Sequence, residues 1–153
     1  MGEFLIEKLT PHRFSEVAEL EKLCFSLPWR ENSFAILLGG KNTGFVVIDS
    51  ETGRVAAYGG MLVVLDEGQI TNIATHPDYR RMGLGEKVVR SLLEYAEAEG
   101  LKIISLEVRE SNSAAITLYE KLGFLNVGVR KNFYTLPREN AIVMTKTIGE
   151  LTV

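Results

Sequence analysis

Strand-like and helix-like segments alternate along the whole chain, and this alternation limits its fold more than any other feature. Short runs rich in Val, Ile, Leu and Phe are separated by amphipathic segments whose apolar residues recur at helical spacing. The predicted order is β-α-α-β-β-β-α-β-α-β-β, with no internal repeat and no low-complexity linker. Such an order indicates an α/β or α+β domain built on a mixed sheet.

Turn residues set the limits of the predicted elements. Strands are predicted over residues 4–9, 44–49, 54–65, 69–75, 102–108, 124–134 and 140–147. Helices are predicted over residues 11–24, 31–38, 86–99 and 112–122. Glycine follows each of the last three helices, and it is the usual residue just past a helix C-terminus. Thr10 is predicted to cap the first helix, whose apolar face is interrupted by Glu21.

Length and composition predict one soluble globular domain over residues 1–153. Domains of about 100–150 residues are the commonest, and 46% hydrophobic with 24% charged residues is an ordinary balance. Charges or turn residues interrupt every apolar stretch well short of the roughly 18 residues that a membrane helix needs. The first residues also lack the basic and then apolar pattern of a signal peptide. We therefore expect no association with a membrane.

Cysteine, histidine and charge narrow the classes of function. Cys24 is the one cysteine, so no disulfide can form within the chain, and a reducing cytoplasm is the expected location. His12 and His76 are far apart and no CxxC or HxxxH spacing occurs, so no metal site is predicted. The net charge of −3 disfavours direct nucleic-acid binding and is compatible with a basic polypeptide partner.

A basic, glycine-containing loop precedes the third predicted helix. Its residues are Arg80-Arg81-Met82-Gly83-Leu84-Gly85-Glu86. Glycines let backbone amides approach a ligand, and the free N–H groups of a helix N-terminus favour a pyrophosphate. The spacing matches neither the Walker A loop nor the dinucleotide fingerprint. From the residues alone, the alternative is a glycine-rich turn with solvated arginines.

Two signatures resemble those of a known family. Arg80-x-x-Gly83-x-Gly85, preceded by Ile73-Ala74-Thr75-His76-Pro77, resembles the acetyl-CoA pyrophosphate loop of the GNAT superfamily of N-acetyltransferases. The segment from Leu106 to Phe124 resembles the second signature of that superfamily. Within it, the chain resembles the bacterial ribosomal-protein alanine N-acetyltransferases through the segments 25–29, 106–109 and 130–141.

The resemblance implies a fold, a co-substrate and an acceptor. The fold would have a central, mostly antiparallel twisted sheet, helices on both faces, and a splayed pair of strands at the cofactor site. Acetyl-CoA would be held by Ile73, Ala74 and Thr75, by the loop from Arg80 to Glu86, and by Asn112. The acceptor would be a basic protein N-terminus, namely the N-terminal alanine of a ribosomal protein. The oligomeric state is left open.

Acetyl transfer from a thioester to an amine needs a base, a stabilised oxyanion and an acid. An α-amino group has a pKa of about 7.7–8.0, so a modest base suffices. By the resemblance, Glu107 is that base, acting through water, and Tyr119 protonates the leaving thiolate. Backbone amides at Ile73 and Thr75 would polarise the thioester carbonyl. From the residues alone, Glu107 could instead pair with Arg109, and Tyr119 could be a core aromatic.

Two further side chains admit more than one interpretation. Cys24 lies on the apolar face of the first predicted helix, so we expect a buried structural cysteine rather than an acyl nucleophile. Trp29 fits either a core anchor or an acceptor pocket, and with Tyr134 it is predicted to bind the acceptor.

Two other functions of the chain stay open: an acetyltransferase of small amines or antibiotics, and a non-catalytic acyl-CoA-binding module.

Overall fold

The computed structural model describes residues 3–149, which form one seven-stranded sheet and the helices packed on it. The strands are β1 (Phe4–Lys8), β2 (Thr43–Asp49), β3 (Val55–Val64), β4 (Glu67–Thr75), β5 (Ile103–Arg109), β6 (Leu125–Thr135) and β7 (Arg138–Thr147). The α-helices are α1 (Phe14–Cys24), α2 (Leu84–Ala98) and α3 (Ser113–Lys121). Shorter 3₁₀ turns span Pro11–Arg13, Glu31–Leu38 and Pro77–Tyr79. The predicted order is confirmed.

Two predicted helices differ in detail from the structure. The segment Glu31–Leu38 is a 3₁₀ helix, and its fully buried Phe34 and Leu37 are three residues apart. That spacing matches the three residues per turn of a 3₁₀ helix, which aligns both side chains toward the core. At the first helix, Thr10 is the N-cap of the 3₁₀ turn Pro11–Arg13, although its hydroxyl bonds to His12 and not to the backbone, and α1 follows directly at Phe14.

The sheet has the strand order β1-β2-β3-β4-β5-β7-β6. Within residues 3–149, β4 and β5 are the only parallel neighbours, and the other pairs are antiparallel. The predicted mostly antiparallel sheet is therefore confirmed. The longest helix, α2, has 15 residues, and no helix in this part of the chain is long and apolar enough to cross a membrane.

The predicted splayed strand pair lies at β4 and β5. Their pairing covers only Glu67–Gln69 against Ile103–Ser105. Beyond it β4 continues to Thr75 and β5 to Arg109 without pairing to each other. A bulge in β4 sets Thr71 and Asn72 opposite the single residue Gly60 of β3, and a bulge bends its strand and increases the local twist. The two strands therefore separate in the middle of the sheet.

Helices cover both faces of the sheet, as predicted. α2 and α3 pack on one face with Val47, whereas α1 and the 3₁₀ segment 31–38 pack on the other with Val46 and Ile48. Successive residues of a strand point to opposite faces, which explains why neighbours in β2 belong to different clusters. The sheet is thus the middle of three layers.

Two adjacent glycines of β3 let both layers approach the sheet at one place. A Cβ at Gly59 would lie 2.5 Å from Val88 of α2 and 2.6 Å from Ile73 of β4. A Cβ at Gly60 would lie 2.8 Å from Leu37, on the opposite face. The small size of these residues therefore sets how closely α2 and the 3₁₀ segment pack.

Replacing Gly59 by Ala should destabilise the fold. The added methyl overpacks the contact with Val88 and Ile73, so we expect the free energy of unfolding to fall by about 1–3 kcal/mol. Chemical denaturation measures this change. Gly128→Ala is the control, because a Cβ there meets nothing within 4 Å. Equal stability of the two variants would contradict the packing argument.

Candidate active site

A cleft of about 710 Å³ opens where β4 and β5 separate. The predicted site residues that line it are Ile73, Ala74, Thr75, Arg80, Arg81, Gly85, Glu107, Asn112, Tyr119 and Tyr134. A smaller cavity of about 200 Å³ shares some of these residues and is also lined by Gly83, Leu84 and Glu86. Most of the predicted site therefore lies around one continuous cleft.

The basic loop turns the start of α2 toward the cleft. Arg81 and Gly83 have φ values of 65° and 74°, in the left-handed region, and Gly83 is the N-cap of α2. Arg80 donates from Nε to the carbonyl of Thr75 at 3.4 Å. Met82 lies in the same turn with a half-exposed side chain that does not line the cavities. Its predicted contribution is thereby limited to its backbone amide.

Glu86 ties the first turn of α2 to α3. Its carboxylate accepts hydrogen bonds from Lys121 at 2.8 Å and from Arg90 at 2.9 Å. These bonds, that of Lys121 first, lower the pKa of the Glu86 carboxyl. The helix that begins at the loop is thus linked directly to the helix that carries Tyr119.

Glu107 faces the cleft from β5 and is held by its neighbours in the sheet. Oε2 accepts a hydrogen bond from Gln69 of β4 at 2.7 Å, and Oε1 lies 3.4 Å from Nε of Arg130 on β6. Its side chain is 17% exposed. The alternative pairing with Arg109 is wrong, because Arg109 instead bonds to Glu139 at 3.1 Å.

Tyr119 belongs to the core and to the cleft at once. It is 7% exposed, its ring lies 5.8 Å from that of Phe124, and it lines the cleft. Burial, and then the proximity of Tyr134, raises the pKa of Tyr119 to about 12. Its phenol therefore keeps its proton at neutral pH, as an acid must.

Asn112 caps the helix that carries Tyr119. Its Oδ1 accepts a hydrogen bond from the amide of Ala115 at 3.1 Å, which fixes the start of α3. Residues seven apart share a helix face, and Asn112 and Tyr119 both line the cleft, as the spacing predicts. The amide nitrogen of Asn112 is the part of the side chain left to face a ligand.

The partly buried side chain of Trp29 packs against the core rather than along the cleft. Its ring packs 5.6 Å from that of Phe34, and it is absent from the cleft lining. The backbone amide of Trp29 donates to the Glu21 carboxylate at 2.8 Å, and this bond holds Trp29 against the last turn of α1. Of the two interpretations, these contacts support the core anchor, and the acceptor contact of Trp29 stays a prediction. Tyr134 does line the cleft.

Cys24 lies at the cleft wall, and the burial predicted for this cysteine is only partial. It is the last residue of α1, where the helix ends beside β4, and it is only half-buried. Its Sγ donates to the carbonyl of Thr75 at 3.4 Å. Burial raises the pKa of the Cys24 thiol, which disfavours the thiolate that a nucleophile requires.

Glu21 is the main residue that the sequence interpretation missed. It is fully buried, and its carboxylate accepts hydrogen bonds from the Trp29 amide, from Asn72 in the β4 bulge at 2.9 Å, and from the Tyr58 hydroxyl. Burial, and then this carboxylate, raises the pKa of Tyr58. The available signal was a single acid on an otherwise apolar helix face. The sequence contained no comparable signal for Gln69, which donates to Glu107.

Comparison with known proteins agrees with this geometry. The model of the acetyltransferase (GNAT) family matches residues 14–124. The [ribosomal protein bS18]-alanine N-acetyltransferase of Escherichia coli K12 is 41% identical over 132 residues, covering 85% of this chain and 88% of its own. The Haemophilus influenzae enzyme of the same name is 35% identical, covering 92% and 96%.

Solved structures show the same fold. The ribosomal-protein-S18-alanine N-acetyltransferase of Escherichia coli superposes with a TM-score of 0.88 at 37% identity, covering 98% of this chain and 97% of that one. The NatC complex bound to Gag peptide and CoA gives a TM-score of 0.85 at 21% identity, covering 96% and 99%, which supports the fold alone.

The open cleft, the loop before α2 and the family match define an acetyl-transferring enzyme. The chain belongs to the acetyltransferase (GNAT) family and, within it, to the ribosomal-protein alanine N-acetyltransferases.

Gly85 provides a test of the loop, because the fold itself does not require glycine there. A Cβ at Gly85 would lie 3.6 Å from Thr75, an ordinary contact, and its φ is not positive. Glycine within a helix costs about 0.5–1 kcal/mol relative to alanine. Gly85→Ala should therefore stabilise the free protein by about that amount in chemical denaturation, and should weaken acetyl-CoA binding in calorimetry.

The control for this substitution is Gly39→Ala, at a glycine that also has a negative φ and open space, 3.7 Å from its nearest neighbour. Gly39→Ala should leave acetyl-CoA affinity unchanged because this residue is not in the cleft lining. If Gly85→Ala bound acetyl-CoA as well as the wild type, the loop would not approach the ligand closely at this residue.

Proposed function

We propose that the chain transfers the acetyl group of acetyl-CoA to the N-terminal α-amine of a protein, with the terminal alanine of ribosomal protein bS18 as its acceptor. The observation that carries the proposal is the cleft between β4 and β5, which brings Glu107, Tyr119 and the basic loop together. The names of relatives at 35–41% identity support the acceptor. The proposal takes residues 1–153 as a single domain acting in the cytoplasm.

The residues of the cleft fit acetyl-CoA. The left-handed turn at Arg81 and Gly83 directs the N-terminus of α2 at the small cavity, where Arg80 and Arg81 add positive charge suited to a pyrophosphate. Beyond Gln69, β4 no longer pairs with β5, so this side of Ile73 and Thr75 is available to a pantetheine arm. Asn112 would bind the same arm from the opposite wall.

Glu107 would accept the proton of the acceptor amine through a water molecule. The hydrogen bond from Gln69 fixes its carboxylate toward the cleft, where Oε1 also lies 3.4 Å from Nε of Arg130. A carboxylate is a weak base, but the amine itself loses its proton near pH 8, so little driving force is required. Backbone amides of β4 would stabilise the oxyanion that forms during attack.

Tyr119 would donate its proton to the departing thiolate. Its high pKa keeps the phenol protonated throughout the range in which the amine is neutral. The Arg109–Glu139 ion pair and Tyr134 line or flank the end of the cleft nearest the turn between β6 and β7. We place the acceptor peptide at that end.

Tyr119→Phe should separate the acid from the packing role of this residue. Phenylalanine keeps the ring against Phe124, so we expect kcat to fall by about 10²–10⁴-fold with little change in acetyl-CoA affinity. Since the pKa of Tyr119 is about 12, the wild-type rate should show no descending limb from this group at pH values up to about 10. A variant with unchanged kcat would leave solvent as the proton source.

Glu107→Gln should affect the other proton transfer, which removes the proton of the acceptor amine. The amide keeps the size of the side chain and removes the base, so the acidic limb of the pH–rate profile should flatten or move. Acetyl-CoA affinity measured by calorimetry should be unchanged, because the predicted role of Glu107 does not involve the cofactor. A profile identical to that of the wild type would exclude Glu107 as the base.

The overall proposal is tested with acetyl-CoA and a matched set of acceptors. A peptide that begins Ala-Arg should be acetylated once, at its terminus, and the reaction should vanish when that terminus is blocked. Mass spectrometry of the product locates the acetyl group. Faster acetylation of spermidine, of an aminoglycoside, or of lysine side chains in the blocked peptide would contradict the N-terminal assignment while leaving an acetyltransferase.

A further inference from the structure

One side chain at the end of β5 holds the turn between β6 and β7. Arg109 donates from Nη1 to the carbonyl of Pro137 at 3.0 Å and to Glu139 at 3.1 Å. Its Nη2 donates to the carbonyl of Leu136 at 3.1 Å, and its guanidinium lies 4.3 Å from the centre of the Tyr134 ring. A planar guanidinium with several fixed donors is suited to such a set of contacts.

The regular ladder does not fix this turn by itself. β6 and β7 pair at Arg130 and Ala141 and again at Tyr134 and Glu139, so three residues of β6 face the single residue Asn140. Asn132, within this bulge, has a φ of 53°. We call residues 134–139 the hairpin tip. The bulge separates it from the rest of the sheet, and its placement therefore depends on contacts from elsewhere.

Two further contacts connect the hairpin tip to both sides of the cleft. Glu139 accepts a hydrogen bond from the amide of Ser111 at 2.6 Å, beside the Asn112 cap of α3. Hydrogen bonding by Ser111 lowers the pKa of the Glu139 carboxyl. Ser26, in the loop after α1, donates to the carbonyl of Leu136. The tip therefore bridges the β5–α3 corner and the loop that follows α1.

We infer that Arg109 is a positioning residue for acceptor binding, which fixes the hairpin tip and thereby holds Tyr134 in the cleft wall. The inference rests on the proposed function, because it assumes that the peptide enters at this end. Arg109 acts through the tip and takes no part in proton transfer.

The test replaces Arg109 by Lys and by Met. Lysine keeps the charge but cannot reach both carbonyls and Glu139 together, and methionine removes all of these contacts. We expect KM for the Ala-Arg peptide to rise about tenfold or more with methionine, since a small misplacement of a binding wall has effects of this size or larger. The rise should be smaller with lysine, and KM for acetyl-CoA should stay within about twofold.

Arg138→Met is the matched control, because it removes one positive charge from an exposed residue of the same tip. It should leave both KM values unchanged. Amide hydrogen exchange of Arg109→Met should become faster over residues 134–139 and stay unchanged over residues 103–108, which a general loss of stability would not produce. Glu139→Gln, which weakens only the contacts of this carboxylate and leaves Arg109 bonded to both carbonyls, should give the same pattern to a smaller extent if Arg109→Met does not fold.

Three results would overturn the inference. One is an equal rise of both KM values, another is unchanged exchange in the hairpin tip, and the third is a peptide KM that the Arg109 substitutions do not alter. Failure of the proposed function looks different: the wild type itself would then not acetylate the peptide terminus.

Discussion

The separation of β4 and β5 is the constraint on which the rest of the structure depends. A parallel pair that stays paired would close the sheet and leave no cleft. Here the pairing stops after Gln69, and the bulge at Thr71 and Asn72 turns β4 aside. The loop before α2, the Asn112 cap and Glu107 then all face the space between the strands. The sheet supplies both the scaffold and the opening.

A buried carboxylate, that of Glu21, holds the backbone around this opening in place. Glu21 joins the end of α1, the loop through Trp29, β3 through Tyr58 and the β4 bulge through Asn72. Removing one partner of such a group leaves buried donors without acceptors, which costs more than the bond itself contributes. The network therefore holds irregular backbone in place where ladder hydrogen bonds are missing.

Much of this arrangement could be predicted, and the failures have physical causes. Periodicity and turn residues located the strands, because those signals are local, and the motifs placed the loop, Glu107 and Tyr119 around one cleft. The burial of Cys24 was overestimated, and the two interpretations of Trp29 could not be separated, because the environments of these residues depend on contacts with Thr75 and Glu21 that are made only in the folded chain. The 3₁₀ form of residues 31–38 also followed from packing. No local sequence pattern shows whether a buried carboxylate such as that of Glu21 will have hydrogen-bond donors in the folded chain.

The glycine pair at Gly59 and Gly60 has a consequence for how such an enzyme can change. Layers packed this closely leave β3, and the cleft residues Thr71 and Ile73 packed against it, little room to adapt, since interiors tolerate little change in volume. The rim, by contrast, is made of the loop after α1 and the turn between β6 and β7, and loops accept substitution readily. Substitutions can therefore accumulate at the rim while the residues beneath it stay the same.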